Sequence, residues 1–94
     1  MRFNKMELHI QEANMTKNAD QSLQGNVVFR LEGYQFPYEI SFFSKKGRDW
    51  DYSLHFTSES GDEEEFLKLD QRLTDDDDLF DALLDAALEQ ESEQ

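Results

Sequence analysis

Two histidines, His9 and His55, and a serine, Ser53, are the side chains best suited by type to nucleophilic or general-base chemistry. A serine nucleophile needs an imidazole within hydrogen-bond reach and oxyanion donors aimed at the reacting carbonyl. Ser53 and His55 stand two residues apart in an alternating run. That spacing puts both on one face of a strand but holds their Cα atoms about 7 Å apart. Both histidines alternate onto the polar side of their segments and read as surface residues. A hydrolase built on His9 or His55 is therefore the least favoured function, and the expectation is a protein that is not an enzyme.

Carboxylates are abundant, 22 in 94 residues. A catalytic pair needs two unlike environments, one burying a neutral acid and the other keeping its partner ionised. Here the acids crowd onto what should be a solvated helix face. The four aspartates at 75–78 invite comparison with a calcium site. An EF-hand loop places acids at alternate positions around a central glycine and closes on a glutamate; this run has neither. Consecutive helical residues also diverge by about 100°. Zinc would need cysteines or a closely spaced histidine pair, and the chain has no cysteine. Gly25, Gly33, Gly47 and Gly61 are each isolated, so no phosphate-binding loop is present. No cofactor or metal is expected.

The formal net charge is −13, and its distribution is uneven. Residues 1–58 hold seven acids and seven bases, whereas residues 59–94 hold fifteen acids against Lys68 and Arg72 alone. Such a surplus disfavours direct binding to nucleic acid, whose affinity comes from Lys and Arg. Lys45, Lys46 and Arg48 form one small basic group, which reads as a solvated turn. No stretch of about 20 apolar residues is long enough for a membrane span. No apolar signal core follows the first basic residues. Together with the lack of cysteine, this makes a soluble cytoplasmic protein the expectation.

Those residues must be held by a fold, and the periodicity indicates one. Period-two alternation marks half-buried strands. Met6, Leu8 and Ile10 alternate with Glu7, His9 and Gln11. Val27, Phe29 and Leu31 alternate with Val28, Arg30 and Glu32. Tyr38, Ile40 and Phe42 alternate with Glu39, Ser41 and Phe43, and Trp50, Tyr52, Leu54 and Phe56 with Asp51, Ser53, His55 and Thr57. Residues 14–25 are polar and read as a loop. Gly33 suits a tight connection requiring positive φ, and Pro37 suits a strand start.

After Gly61 the period becomes helical. Ser60 with Glu63 fits a capping box, and Thr74 with Asp77 a weaker one. Leu79, Phe80, Leu83, Leu84, Ala87 and Leu88 form an amphipathic stripe. The spacing predicts one or two helices, best drawn as 62–72 and 75–90, with the last six residues frayed. A sheet with one apolar face must be covered. The fold expected is α+β, a single domain with a four-stranded antiparallel β-meander and the C-terminal helices on one face. Leu8, Phe29, Ile40, Leu54, Phe80, Leu84 and Leu88 should be buried.

On such a helix Asp77, Asp81, Asp85 and Glu89 recur every fourth residue, with Asp78 beside the first. Each like-charged pair at this spacing costs about 0.2–0.5 kcal/mol. The helix dipole accounts for Asp77 and Asp78 at the N-terminus, but not for the rest. Solubility is the plain explanation; a mixed-sign surface would achieve it at less cost. The alternative is that these five carboxylates bind a basic protein. By charge and size alone, the chain is similar to small acidic proteins that mimic DNA and to immunity proteins that neutralise basic nucleases. A third possibility is that Phe43 and Val28, on the sheet face away from the core, form an apolar patch for dimerisation or a partner.

Overall fold

The computed structural model describes residues 7–57 and 62–93. Four strands, β1 (Leu8–Lys17), β2 (Leu23–Leu31), β3 (Tyr38–Ser44) and β4 (Asp51–Phe56), are followed by helices α1 (Glu63–Asp75) and α2 (Asp77–Leu88) and a short strand β5 (Glu91–Glu93). β1 to β4 form the expected antiparallel meander, with both helices on one face. The expected core side chains Phe29 and Ile40 are fully buried, and Leu54 and Leu84 are buried as well. Leu8, Phe80 and Leu88 are only partly covered and pack against that core from its rim. No described helix is long and apolar enough to cross a membrane.

Three expectations need correction. Residues 14–25 are not a loop: β1 runs on to Lys17 and β2 begins at Leu23. The turn occupies only 18–22, where the Asn18 N–H donates to the Ser22 carbonyl. Asp20 accepts from the Ser22 hydroxyl at 2.6 Å and from its N–H at 3.0 Å. Those two bonds, the hydroxyl foremost, hold the Asp20 carboxyl below its ordinary pKa. The alternation is disguised by a register shift between Ile10 and Glu12. Before it, even-numbered Leu8 and Ile10 lie opposite the core residues Leu31 and Phe29; after it, odd-numbered Ala13 and Met15 lie opposite Val27 and Gly25. Ile10, though on the core side, stays 41% exposed. Met6 lies outside the described residues.

The second correction concerns the tail. Residues 89–94 were expected to fray, yet Glu91–Glu93 pairs in parallel with Met15–Lys17, extending the sheet to the order β4-β3-β2-β1-β5. The third concerns helix boundaries. Asp62 caps α1, its carboxylate accepting from the N–H groups of Glu64 and Glu65; Ser60 lies outside the described residues. Asp76, not Thr74, caps α2, accepting from the Leu79 N–H, and its own N–H closes the end of α1. The helices are two, meeting at one aspartate.

Gly25 explains the close approach of β1 to β2. A Cβ built there would fall 2.2 Å from the Asn14 carbonyl oxygen and 3.0 Å from the Met15 Cα, both backbone atoms. Only glycine fits beneath that crossing.

Candidate functional site

α2 is positioned by its apolar side. Leu79, Leu83, Leu84 and Ala87 are buried against the sheet. Phe80 sets its ring edge-on to Phe42 and to Tyr52, each centroid 5.5 Å away. This fixes the helix rotation and turns the opposite side outward. Asp77, Asp78, Asp81, Asp85 and Glu89 are all exposed on that outer side. Successive members four residues apart are separated by about 6 Å along the axis.

Four other acids of this region have partners. Glu65 accepts from the N–H groups of Gln35 and Phe36 and, at 2.9 Å, from the buried Tyr38 hydroxyl. Burial first, and the Glu65 carboxylate second, push the Tyr38 phenol well above the usual tyrosine range. Asp70 reaches the Tyr52 hydroxyl at 3.5 Å, and Asp75 accepts from Gln71. Asp76 caps α2 with one oxygen and sets the other 3.6 Å from the Arg72 guanidinium, which also meets Glu7 on the far side at 3.4 Å. Arg72 thus ties the start of β1 to the junction of the two helices.

By contrast, among the described residues none of the five outer carboxylates takes part in an ion pair or a side-chain hydrogen bond. α2 has no basic residue in its last turn, and Glu89 occupies its C-cap. A carboxylate there faces the negative end of the helix dipole, an arrangement unfavourable by about 0.3–1 kcal/mol at low salt.

The aspartates at 75–78 do not converge: Asp75 and Asp76 are already engaged, and Asp77 and Asp78 face solvent. No group of three or more His, Asp or Glu among the described residues is placed to hold a metal ion.

His9, Ser53 and His55 are exposed on the uncovered face of the sheet. His9 lies opposite Arg30 on β2, His55 opposite Glu39 on β3 and Ser53 opposite Ser41. Two strands stand between the histidines, a separation of about 14 Å. The register also separates Phe43 from Val28. Phe43 is level with Gln24, Val28 with Glu39, and the polar pair Asn26 and Ser41 lies between them. They do not form one apolar patch. Lys45, Lys46 and Arg48 surround a recess at the β3–β4 turn that Asp49 and Asp51 also line, so its charge is mixed.

Arg72, Glu65 and Gly25 are the structurally committed residues that sequence reasoning passed over. Each acts across a separation of ten or more residues, which no local period reports. Comparison of the chain with family models, with curated proteins and with solved structures returns no match.

Proposed function

We propose that this protein is a non-enzymatic binding module that engages a basic protein through the outer face of α2. The observation that carries this reading is the division among its acids. Glu65, Asp70, Asp75 and Asp76 accept hydrogen bonds from within the molecule, while Asp77, Asp78, Asp81, Asp85 and Glu89 line one side of a single helix, are exposed, and accept none among the described residues. Their mutual repulsion is an expense that a partner rich in Lys and Arg would offset. A row of carboxylates about 6 Å apart resembles a row of phosphates. A phosphate-binding groove on the partner is the matching chemistry, as in the DNA-mimic and immunity proteins to which charge and size alone liken this chain. The protein itself would not bind nucleic acid, because its own surplus is of the same sign. A chain without cysteine suits the reducing cytoplasm, and we place it there.

The test uses three baits in the native lysate: the unaltered chain, Asp81→Lys with Asp85→Lys, and Lys45→Ser with Lys46→Ser. The expected partner is basic, is released by salt because exposed charges are screened over about 8 Å at physiological strength, and competes with duplex DNA. The lysine pair should weaken it about tenfold or more, and the serine pair should not. An acidic partner would overturn the reading. So would a partner indifferent to Asp81→Lys and Asp85→Lys but lost on Phe43→Ala.

A further inference from the structure

The two edges of the sheet are finished differently. On one side β1 is interrupted by the bulge between Ile10 and Glu12, and the three-residue strand β5 covers Met15–Lys17. Bulges, short outer strands and charged side chains are the devices that stop a sheet from adding a foreign strand. On the other side β4 pairs with β3 in unbroken register from Asp51 to Phe56 and, among the described residues, has no strand beyond it. It contains no proline, lysine or bulge, and its sole formal charge is Asp51 at its first position.

The apolar side chains beside this edge are exposed. Phe56 is 41% exposed and Leu67, on α1, 59%. α1 runs back along β4: the Phe66 ring lies 4.7 Å from that of Phe56, and Asp70 and Thr74 reach the Tyr52 hydroxyl. Leu67 shares a helical stripe with Asp70 and Thr74, at i+3 and i+7. It therefore flanks the open edge.

We propose that the β4 edge joins two copies of this chain about a two-fold axis, β4 pairing antiparallel with β4 so that the two sheets run on as one. The occupant is a second copy because the strand is complementary to itself. Opposed residues in an antiparallel pair point to the same face. With Leu54 opposite Leu54, Tyr52 meets Phe56 of the second copy and Ser53 meets His55. The covered face then reads Tyr-Leu-Phe against Phe-Leu-Tyr, and no like charges are opposed. The charge distribution also fits. α2 lies chiefly over β1 and β2, and its last residues lead to β5 at the far edge. Asp85 and Glu89 are thus turned away from β4. β4 itself carries one formal charge, Asp51, and Asp70 and Glu63 of α1 stand beside it, so two chains of net charge −13 meet there against a repulsion that salt can screen.

This surface is independent of the acidic face of α2, and salt separates the two. Salt weakens attraction between the acidic face and a basic partner. It strengthens the dimer, because it screens repulsion between like-charged copies.

Sedimentation of the full chain from about 1 μM to about 1 mM, at low and high salt, tests the proposal, with hydrogen exchange as a second readout. The expected result is a concentration-dependent passage from monomer to dimer, tighter at high salt, with β4 amides gaining protection as concentration rises. Ser53→Lys and Leu67→Lys, both at exposed positions, should each weaken the dimer about tenfold or more. Ser53→Lys combined with His55→Glu should recover most of the loss, since the register sets the new lysine opposite the new glutamate. Ile10→Lys at the other edge should leave it unchanged. A monomer at every concentration and salt would overturn the proposal. So would a dimer broken by Ile10→Lys but not by Ser53→Lys, or β4 protection that appears only on adding another protein's extended segment.

Discussion

The sheet and the helical third use charge in opposite ways. In the sheet region acids and bases balance, and burial rests on one face carrying Met15, Val27, Phe29, Tyr38, Ile40 and Phe42. In the helical third the acids outnumber the bases by thirteen, but they are not one population. Asp62, Glu65, Asp70 and Asp76 each accept hydrogen bonds that fix a helix end or join helix to sheet. The outer carboxylates of α2 fix nothing. Net charge by itself therefore says little about structure. What matters is which carboxylates have a donor within reach, and along α2 those without one, Asp77, Asp78, Asp81, Asp85 and Glu89, all lie on the outer side.

That contrast makes graded predictions for stability, each read from urea unfolding. Phe29→Ala should have the largest effect. Its ring is fully buried at the centre of the core, and such truncations cost about 3–5 kcal/mol. Gly25→Ala should follow at about 2–3 kcal/mol, because the added methyl meets backbone rather than a side chain able to turn away. A tolerant Gly25 would mean that β1 and β2 approach less closely than described.

Glu65→Ala should cost about 2 kcal/mol, since two backbone N–H groups and the buried Tyr38 hydroxyl lose a charged acceptor together. Glu65→Gln, which keeps one carbonyl, should recover part of this. Folding raises the Tyr38 phenol above its ordinary value of 10.0. Its contribution is therefore intact below that pH and is lost as pH climbs toward the folded-state value. Tyr38→Phe should flatten the alkaline limb of the stability profile. Asp76→Ala should cost about 1–2 kcal/mol through the lost cap and the Arg72 pair. If Glu65→Ala proved as harmless as Asp81→Ala, the distinction between inner and outer acids would fail.

The fold was largely legible from its periods. Strands at Val27–Leu31, Tyr38–Phe42 and Tyr52–Leu54 alternate without interruption, and the Leu79–Leu88 stripe is unambiguous. The misread parts have physical causes. The bulge after Ile10 shifts the inward set from even to odd numbers, and the inward position opposite Met15 is Gly25, which carries no apolar side chain to count. β5 reads Glu-Ser-Glu; its pairing uses the backbone, so no side-chain pattern announces it. The capping role of Asp76 was hidden among identical neighbours. At the candidate site, the helical period alone placed the five carboxylates on one side. Their lack of internal partners needed the three-dimensional neighbours to be known.

The smallest effect predicted is also the one that best isolates the outer face. Glu89→Lys replaces a carboxylate at the C-cap of α2, where no basic residue is present in the last turn. A lysine there meets the negative end of the dipole favourably and follows Asp85 at the better orientation for a helical ion pair. The expected gain is about 0.5–1 kcal/mol at low salt, shrinking as salt is added. A stabilising change at an exposed site means the original residue was not chosen for the fold. If Glu89→Lys stabilises the protein and at the same time weakens capture of the basic partner, the two measurements together place Glu89 in the binding surface. If it destabilises the protein, Glu89 has a structural role, and the row of outer carboxylates ends at Asp85.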